Sequence, residues 1–378
     1  MSMLYLDNAA TTPVRPEVLE AMMPYLTQWF GNPSSHHTVG EAAADALADA
    51  RARVARLLGM RAGDVIFTSG GTEANNLAVK GIALGAWQLT GRRHLVTTPI
   101  EHESILESAA YLERMHGFAV TRVPVDRQAR VHPDAAADAL RDDTALLTIG
   151  YANNEVGTVQ DVAAIAAIAR ERGVPVHVDA VQAAGWRRCR LRSSGSTRSR
   201  SPGTRSGRRR APASSPCGDA SSRAAPARRR SGTGPPQRYR GRRGGGGPRD
   251  RPRAGRGRPG RGIRSCHRHP RPLRRPRARH RAVCRADRRP GAPAPGTASF
   301  TFAGTSGEAV LLELERRGVV SSSGSACAAG SDEPSHVLVA MGVDAEVART
   351  AVRFTFPRWL RQPLDAVADA VAASVAAV

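Results

Sequence analysis

Several short stretches of this chain combine residue types that can handle a planar, charged ligand and a thiol. Ser69-Gly70-Gly71-Thr72 follows a short apolar run and precedes a helix-period segment. The free N–H groups and positive dipole at such a helix start suit a phosphate, and Thr72 can add a hydroxyl. The same stretch also reads as an ordinary glycine turn with a threonine cap. Asp179 closes Val176-His177-Val178, with Gln182 three residues on. A carboxylate there can hold a protonated pyridine nitrogen while Gln182 reaches a ring hydroxyl, or it can cap a helix. His102, after another apolar run, can stack on a flat ligand or move protons, or it can be structural. Asn153-Asn154-Glu155-Val156-Gly157 is a polar loop and, taken alone, a turn. The small-residue loop Ser321 to Cys327 carries one thiol, which needs help to become a thiolate nucleophile, or is a buried small residue. Arg353, between Val352 and Phe354, can clamp a carboxylate in a bidentate pair or form a surface salt bridge.

The elements around these residues alternate between apolar runs and helical periodicity, which implies βαβ units and a largely parallel sheet. Strands are predicted at Val65–Phe67, Leu95–Thr97, Ala119–Val123, Ala145–Tyr151 and Val174–Val178. Helices are predicted from Thr72 to about Trp87 and over Asp161–Arg172. The polar residues cluster just after strand C-termini, where open α/β sheets place ligands. No apolar run of about 18 residues is present, so no membrane span is expected. The N-terminus shows no secretory signal, and cytoplasm is the default localisation.

Charge divides the chain sharply. Residues 187–290 hold 35 Arg, no Lys and three acids, a net +32 against +23 for the whole chain. The remaining 274 residues therefore carry −9. That removes the inference of a nucleic-acid binder from the flanks, which look globular. The Arg/Pro/Gly/Ser-rich tract cannot bury enough apolar surface to offset ordering entropy and is expected to be disordered or misfolded. Cys189, Cys217, Cys266 and Cys284 lie in it at irregular spacing, with no disulfide or zinc pattern. Lys80 is the single lysine, placed mid-helix and expected on a solvated face.

Taken in order, the motifs resemble the cysteine desulfurases, pyridoxal-phosphate enzymes of the class V aminotransferase group. The likeness is carried by Tyr5 to Pro13, Gly31 to Ser35, Thr68 to Asn75, Glu101-His102, Asn153 to Gly157, His177 to Gln182, Ser322 to Cys327, Glu333 to Ser335 and Arg353-Phe354. It implies an α/β fold of the aspartate-aminotransferase-like, PLP-dependent type. Residues 1–14 would pack with a small domain, 15–186 would form the large cofactor domain, 187–296 are out of family, and 297–378 would form the small C-terminal domain. Gly71 and Thr72 would bind the cofactor phosphate. His102 would stack on the ring. Asn154 and Gln182 would contact it, and Asp179 would keep its nitrogen protonated. Arg353, with Asn8 beside it, would hold the substrate carboxylate. Cys327 would attack the sulfur of L-cysteine, leaving alanine and a persulfide, and would transiently ligate an Fe–S cluster. Expected partners are an Fe–S scaffold or a tRNA-thiolation protein, and a second copy of the chain. Pro357 stands where the family usually has Gly.

The Schiff-base lysine of the family, in a Ser-x-His-Lys segment, is missing. Ser201-Pro202-Gly203-Thr204-Arg205 stands there instead. Reading the third base of each codon with the first two of the next, Ser194 through Arg205 can encode Gly-Val-Asp-Ala-Leu-Ser-Leu-Ser-Gly-His-Lys. A frameshift, compensated near Pro290–Gly296, is therefore expected. Two other readings compete: a pseudo-enzyme whose Arg-rich insert binds nucleic acid, and a selenocysteine lyase or another class V enzyme.

Overall fold

A computed structural model describes residues 3–185, 296–324, 333–357, 360 and 364–378. The whole Arg-rich tract and Cys327 thus lie outside the described residues. In chain order the first flank holds β1 (Leu4–Tyr5), α1 (Pro16–Thr27), α2 (Thr38–Leu58), α3 (Gly71–Thr90), β2 (His94–Thr97), α4 (Glu103–His116), β3 (Ala119–Arg122), α5 (Pro133–Ala139), β4 (Thr144–Gly150), α6 (Val162–Glu171) and β5 (Val176–Asp179). The second holds β6 (Thr297–Thr301), α7 (Gly307–Arg316), β7 (Val319–Val320), β8 (Ser322–Ser323), α8 (His336–Ala340), α9 (Ala345–Ala348), β9 (Ala351–Thr355) and α10 (Asp365–Ala376).

The central sheet is parallel, with order β3-β2-β4-β5. Both of its faces are covered, which is why Thr144–Ile149 is a continuous buried run rather than an alternating one. Successive side chains still point to opposite faces. Leu95 and Leu146 pack with Val79, Ala109 and Leu112 of α3 and α4. Val96 and Leu147 pack with Ala136, Ile165 and Ala169 of α5 and α6. His94 is fully buried inside this sheet and ties three strands together. Its Nδ1 lies 2.8 Å from Thr144 Oγ1 and its Nε2 2.8 Å from Thr121 Oγ1.

The chain steps from β2 outward to β3, then returns to the other side of β2 as β4. The C-termini of β2, β4 and β5 therefore open on a crevice at this switch point, where ligands of such sheets bind.

The C-terminal sheet is antiparallel, with order β6-β9-β8, and packs against α7 and α10. Leu6 of the N-terminal segment is buried in the same cluster, beside Phe302 and Phe354. The strand β1 pairs in parallel with β7, and Asp7 bridges to Thr355. The first residues are thereby fixed against the last strand.

One predicted strand is absent. Val65–Phe67 forms no strand and pairs with no described strand, and Ile66 and Phe67 stay about half exposed. Its apolar composition marks a segment that needs a neighbour, and an apolar run without one does not form a ladder. The predicted Thr72 helix runs from Gly71 to Thr90.

Candidate active site

A cavity of about 360 Å³ lies at the switch point, within the range of small-molecule sites. Gly71, Thr72, His102, Asn154, Asp179, Gln182 and Arg353 all line it. Asn8 does not, and its amide is committed elsewhere: Nδ2 donates to the carbonyls of Thr355 at 2.8 Å and Tyr5 at 3.3 Å. Its role is to hold the N-terminal segment onto β9.

Glu73 shapes the start of α3. Its Oε2 accepts from both the N–H and the hydroxyl of Ser69 at 2.6 Å, so the turn before the helix is closed from within. The helix start lies close to the Asp179 turn: a Cβ on Gly71 would sit 3.0 Å from Val181 Cγ2, a contact that the exposed valine side chain must shift to admit.

Asp179 ends β5 with its carboxylate held on both oxygens. Oδ2 accepts from Asn75 Nδ2 at 2.8 Å, and Oδ1 accepts from the N–H of Val181 at 2.9 Å. The second bond is an Asx turn, and no helix begins there among the described residues, which disposes of the helix-cap alternative. Gln182 Nε2 donates to Ala9 O at 3.3 Å, joining this turn to the N-terminal segment. His102 caps α4, its Nδ1 accepting from Ser104 N–H at 3.1 Å.

Arg353 is 1 % exposed, so a surface salt bridge is excluded. Its Nη2 donates to Asp7 Oδ1 at 2.7 Å and its Nη1 to Asn154 O at 3.3 Å. Its Nε is buried with no partner among the described residues. A guanidinium with an uncommitted N–H beside a cavity is suited to an incoming carboxylate.

Two buried acids, one of them in the cavity wall, carried no role in the sequence reading. Glu101 is buried in the cavity wall, accepts from Thr98 Oγ1 at 2.6 Å, and burial pushes its carboxyl up to about 8. Glu155 accepts from Ser335 Oγ at 2.5 Å, and burial raises its carboxyl as well. Each adjoins a residue singled out for chemistry, Glu101 before His102 and Glu155 after Asn154, and that adjacency was the available signal. Asn153 fixes the second loop: Oδ1 accepts from the N–H groups of Glu155 and Val156, and Nδ2 donates to Ile100 O.

Lys80 is not on a solvated face. It is half-buried against α4, its Nζ donating to Asn76 Oδ1 at 2.6 Å and lying 4.6 Å from the centre of the Tyr111 ring. Among the described residues no lysine lines the cavity.

A helix start for an anion, a fixed carboxylate for a cationic ring nitrogen and a guanidinium for a carboxylate fit pyridoxal phosphate and an amino acid. The fold and this donor set define a pyridoxal-phosphate-dependent α/β enzyme. The Aminotransferase class-V family matches residues 4–196. Cysteine desulfurase IscS of Dictyoglomus turgidum is 36 % identical over 365 residues, covering 93 % of this chain and 89 % of that protein. Cysteine desulfurase IscS of Methanosarcina thermophila is 48 % identical over 182 residues, covering 48 % of this chain and 44 % of that protein. A solved NifS-like protein superposes with a TM-score of 0.68 at 25 % identity, over 99 % of both chains. The chain belongs to the cysteine desulfurases, the pyridoxal-phosphate-dependent family within class V.

Proposed function

We propose that the cavity takes L-cysteine and that its sulfur leaves as a persulfide on Cys327, with L-alanine as the other product. The observation that carries this reading is the convergence of Asp179, His102 and Arg353 on one cavity from three separate elements. When bound, pyridoxal phosphate supplies the electron sink for bond cleavage at the substrate. The N-terminus of α3, with Gly71 and Thr72, holds its phosphate. Asp179 keeps the ring nitrogen protonated, and Asn154 and Gln182 fix the ring. Arg353 clamps the substrate carboxylate with Nε and a guanidinium edge. His102 holds or moves a proton at the ring face. The Cys327 thiolate attacks the substrate sulfur: an S–S bond forms as the C–S bond breaks, its electron pair stays with carbon, and a proton there completes alanine.

Residues 15–186 serve as the cofactor domain, and 297–378, with residues 1–14, as the small domain. The acceptor is an Fe–S scaffold or a tRNA-thiolation protein, in the cytoplasm. The working unit is a homodimer. Exposed Leu19, Met22, Met23 and Leu26 on α1, followed by Phe30, support a protein partner on that face.

The family's lysine is restored by the shifted frame through Ser194–Arg205. The family match ends at residue 196, which supports a break there. In the chain as written, the cofactor is held without a covalent link.

The test uses the frame-restored protein with L-cysteine. Alanine release, with a persulfide at Cys327 that mass spectrometry detects and Cys327→Ser abolishes, is the expected result. Alanine release unaffected by Cys327→Ser overturns the role of that thiol, and no release at all overturns the activity. Codons other than ACA followed by AGA or AGG at Thr204-Arg205 overturn the frameshift.

A further inference from the structure

In the cavity wall a chain of hydrogen bonds passes through Asn75, one turn into α3 and buried. Its Nδ2 donates to Asp179 Oδ2 at 2.8 Å and to Ser104 Oγ at 2.9 Å. The two N–H bonds of one amide thus reach two elements, the end of β5 and the first turn of α4. Ser104 Oγ, having accepted from Asn75, lies 2.8 Å from His102 Nδ1. The Ser104 backbone N–H donates to that same nitrogen at 3.1 Å. A backbone N–H can only donate, so Nδ1 is the acceptor and the ring proton sits on Nε2. The Ser104 hydroxyl, which accepts from Asn75, turns its own proton toward Nδ1, because a nitrogen without a proton can only accept. Every bond from Asn75 through Ser104 to His102 runs in the same direction.

We infer that Asn75 is a positioning residue that aims the Asp179 carboxylate and, by holding the Ser104 hydroxyl as a second donor to His102 Nδ1 beside the Ser104 N–H, strengthens the bias toward the tautomer with its proton on Nε2. The inference rests on reading the cavity as a pyridoxal-phosphate site. It adds that the two groups addressing the cofactor, one at the ring nitrogen and one at the ring face, share a single amide. Few other side chains can replace it. Aspartate in its place has no N–H to give and sets a second carboxylate against Asp179. Alanine leaves Asp179 Oδ2 and Ser104 Oγ without their donor.

The experiment has two readouts on the full-length chain. Long-range ¹H–¹⁵N spectra of the cofactor-free protein should show His102 with its proton on Nε2, and a detectable share of the other tautomer in Asn75→Ala and Ser104→Ala, where the hydroxyl bond is weakened or lost while the backbone N–H of residue 104 remains. Equilibrium dialysis should show pyridoxal phosphate binding about tenfold more weakly to Asn75→Ala, the loss expected for one hydrogen bond to a charged group. Ser104→Ala keeps the Asp179 bond and should retain most of the affinity, so it serves as the second variant if Asn75→Ala unfolds. A His102 tautomer unchanged in both variants overturns the inference, and so does unchanged cofactor affinity in Asn75→Ala. Absence of binding by the wild type overturns the cofactor reading instead, and the tautomer spectra then still decide whether Asn75 governs His102.

Discussion

Arg353 Nη2 and Asp7 Oδ1 lie 2.7 Å apart, and the arginine side chain is almost wholly buried. This pair ties the seventh residue to β9 and to the cavity wall. A buried cation that loses the acid it is bonded to is costly, because desolvation remains while that attraction is gone.

Asp7→Asn should therefore lower unfolding stability by about 3 kcal/mol, with Asp7→Ala at least as damaging. Urea titration of wild type and variants measures it. A change within about 0.5 kcal/mol, the size typical of a surface site, would show that the pair is not structural. Arg353→Lys should also weaken carboxylate binding, since an ammonium cannot reproduce the planar fork.

Glu101 gives a pH signature. Burial holds its carboxyl up to about 8, whereas an unfolded glutamate titrates near 4.3. Between those values the folded chain binds a proton that the unfolded chain has released. Stability then falls as pH rises through that window, by at most about 1.4 kcal/mol per unit, and levels off above the folded value. Glu101→Gln keeps an acceptor for Thr98 and cannot ionise. It should gain on wild type steadily from pH 5 to 8 in thermal unfolding, and a pH-independent difference would refute the assignment.

The sheet was legible because β2, β4 and β5 are short apolar runs ending in polar motifs, and the polar residues just after those strand ends, His102, Asn154 and Asp179 among them, line the cavity. Val65–Phe67 misled because composition reports a strand's appetite for a neighbour, while pairing depends on another part of the chain. Asn8 misled for a related reason: its position near the site was readable, but its amide is claimed by two backbone carbonyls that only folding brings close. Arg353 and Asp7 stand 346 residues apart, and no local pattern joins them. Glu101 and Glu155 escaped notice because an acid's burial cannot be read from its neighbours in sequence.

His94 and His177 make the acid side of the stability curve. Burial lowers both imidazoles below the usual value, and His94 bridges Thr144 and Thr121 across three strands. Below an unfolded value of about 6.5 the unfolded chain takes up protons that the folded one refuses, so stability drops as pH falls. His94→Gln should flatten the slope between pH 6.5 and 5 while lowering stability at pH 7, because it loses at least one of the two threonine bonds. Chemical denaturation at the two pH values reads both effects, and an unchanged slope would mean that His94 charges within the fold.

Glu155 lies close to residues on both sides of the segment that carries Cys327 and bonds to one of them. Ser335 Oγ donates to its Oε2 at 2.5 Å, and a Cβ on Gly324 would lie 3.1 Å from the same oxygen. One buried carboxyl oxygen thus meets the residue before the segment and one shortly after it. Ser335→Ala removes the donor and leaves that oxygen buried, which should lower stability by about 2 kcal/mol. Burial raises the carboxyl of Glu155, so in wild type the folded chain retains a proton to higher pH than the unfolded chain. The serine bond opposes that shift, so the deficit of Ser335→Ala should widen as pH rises and the carboxylate has no donor. Adding Glu155→Gln to Ser335→Ala removes the charge and should reverse the widening. Denaturation of the single and double variants at pH 6 and 8 measures this, and equal deficits at the two values would show that the Ser335 bond does not act on the charged form.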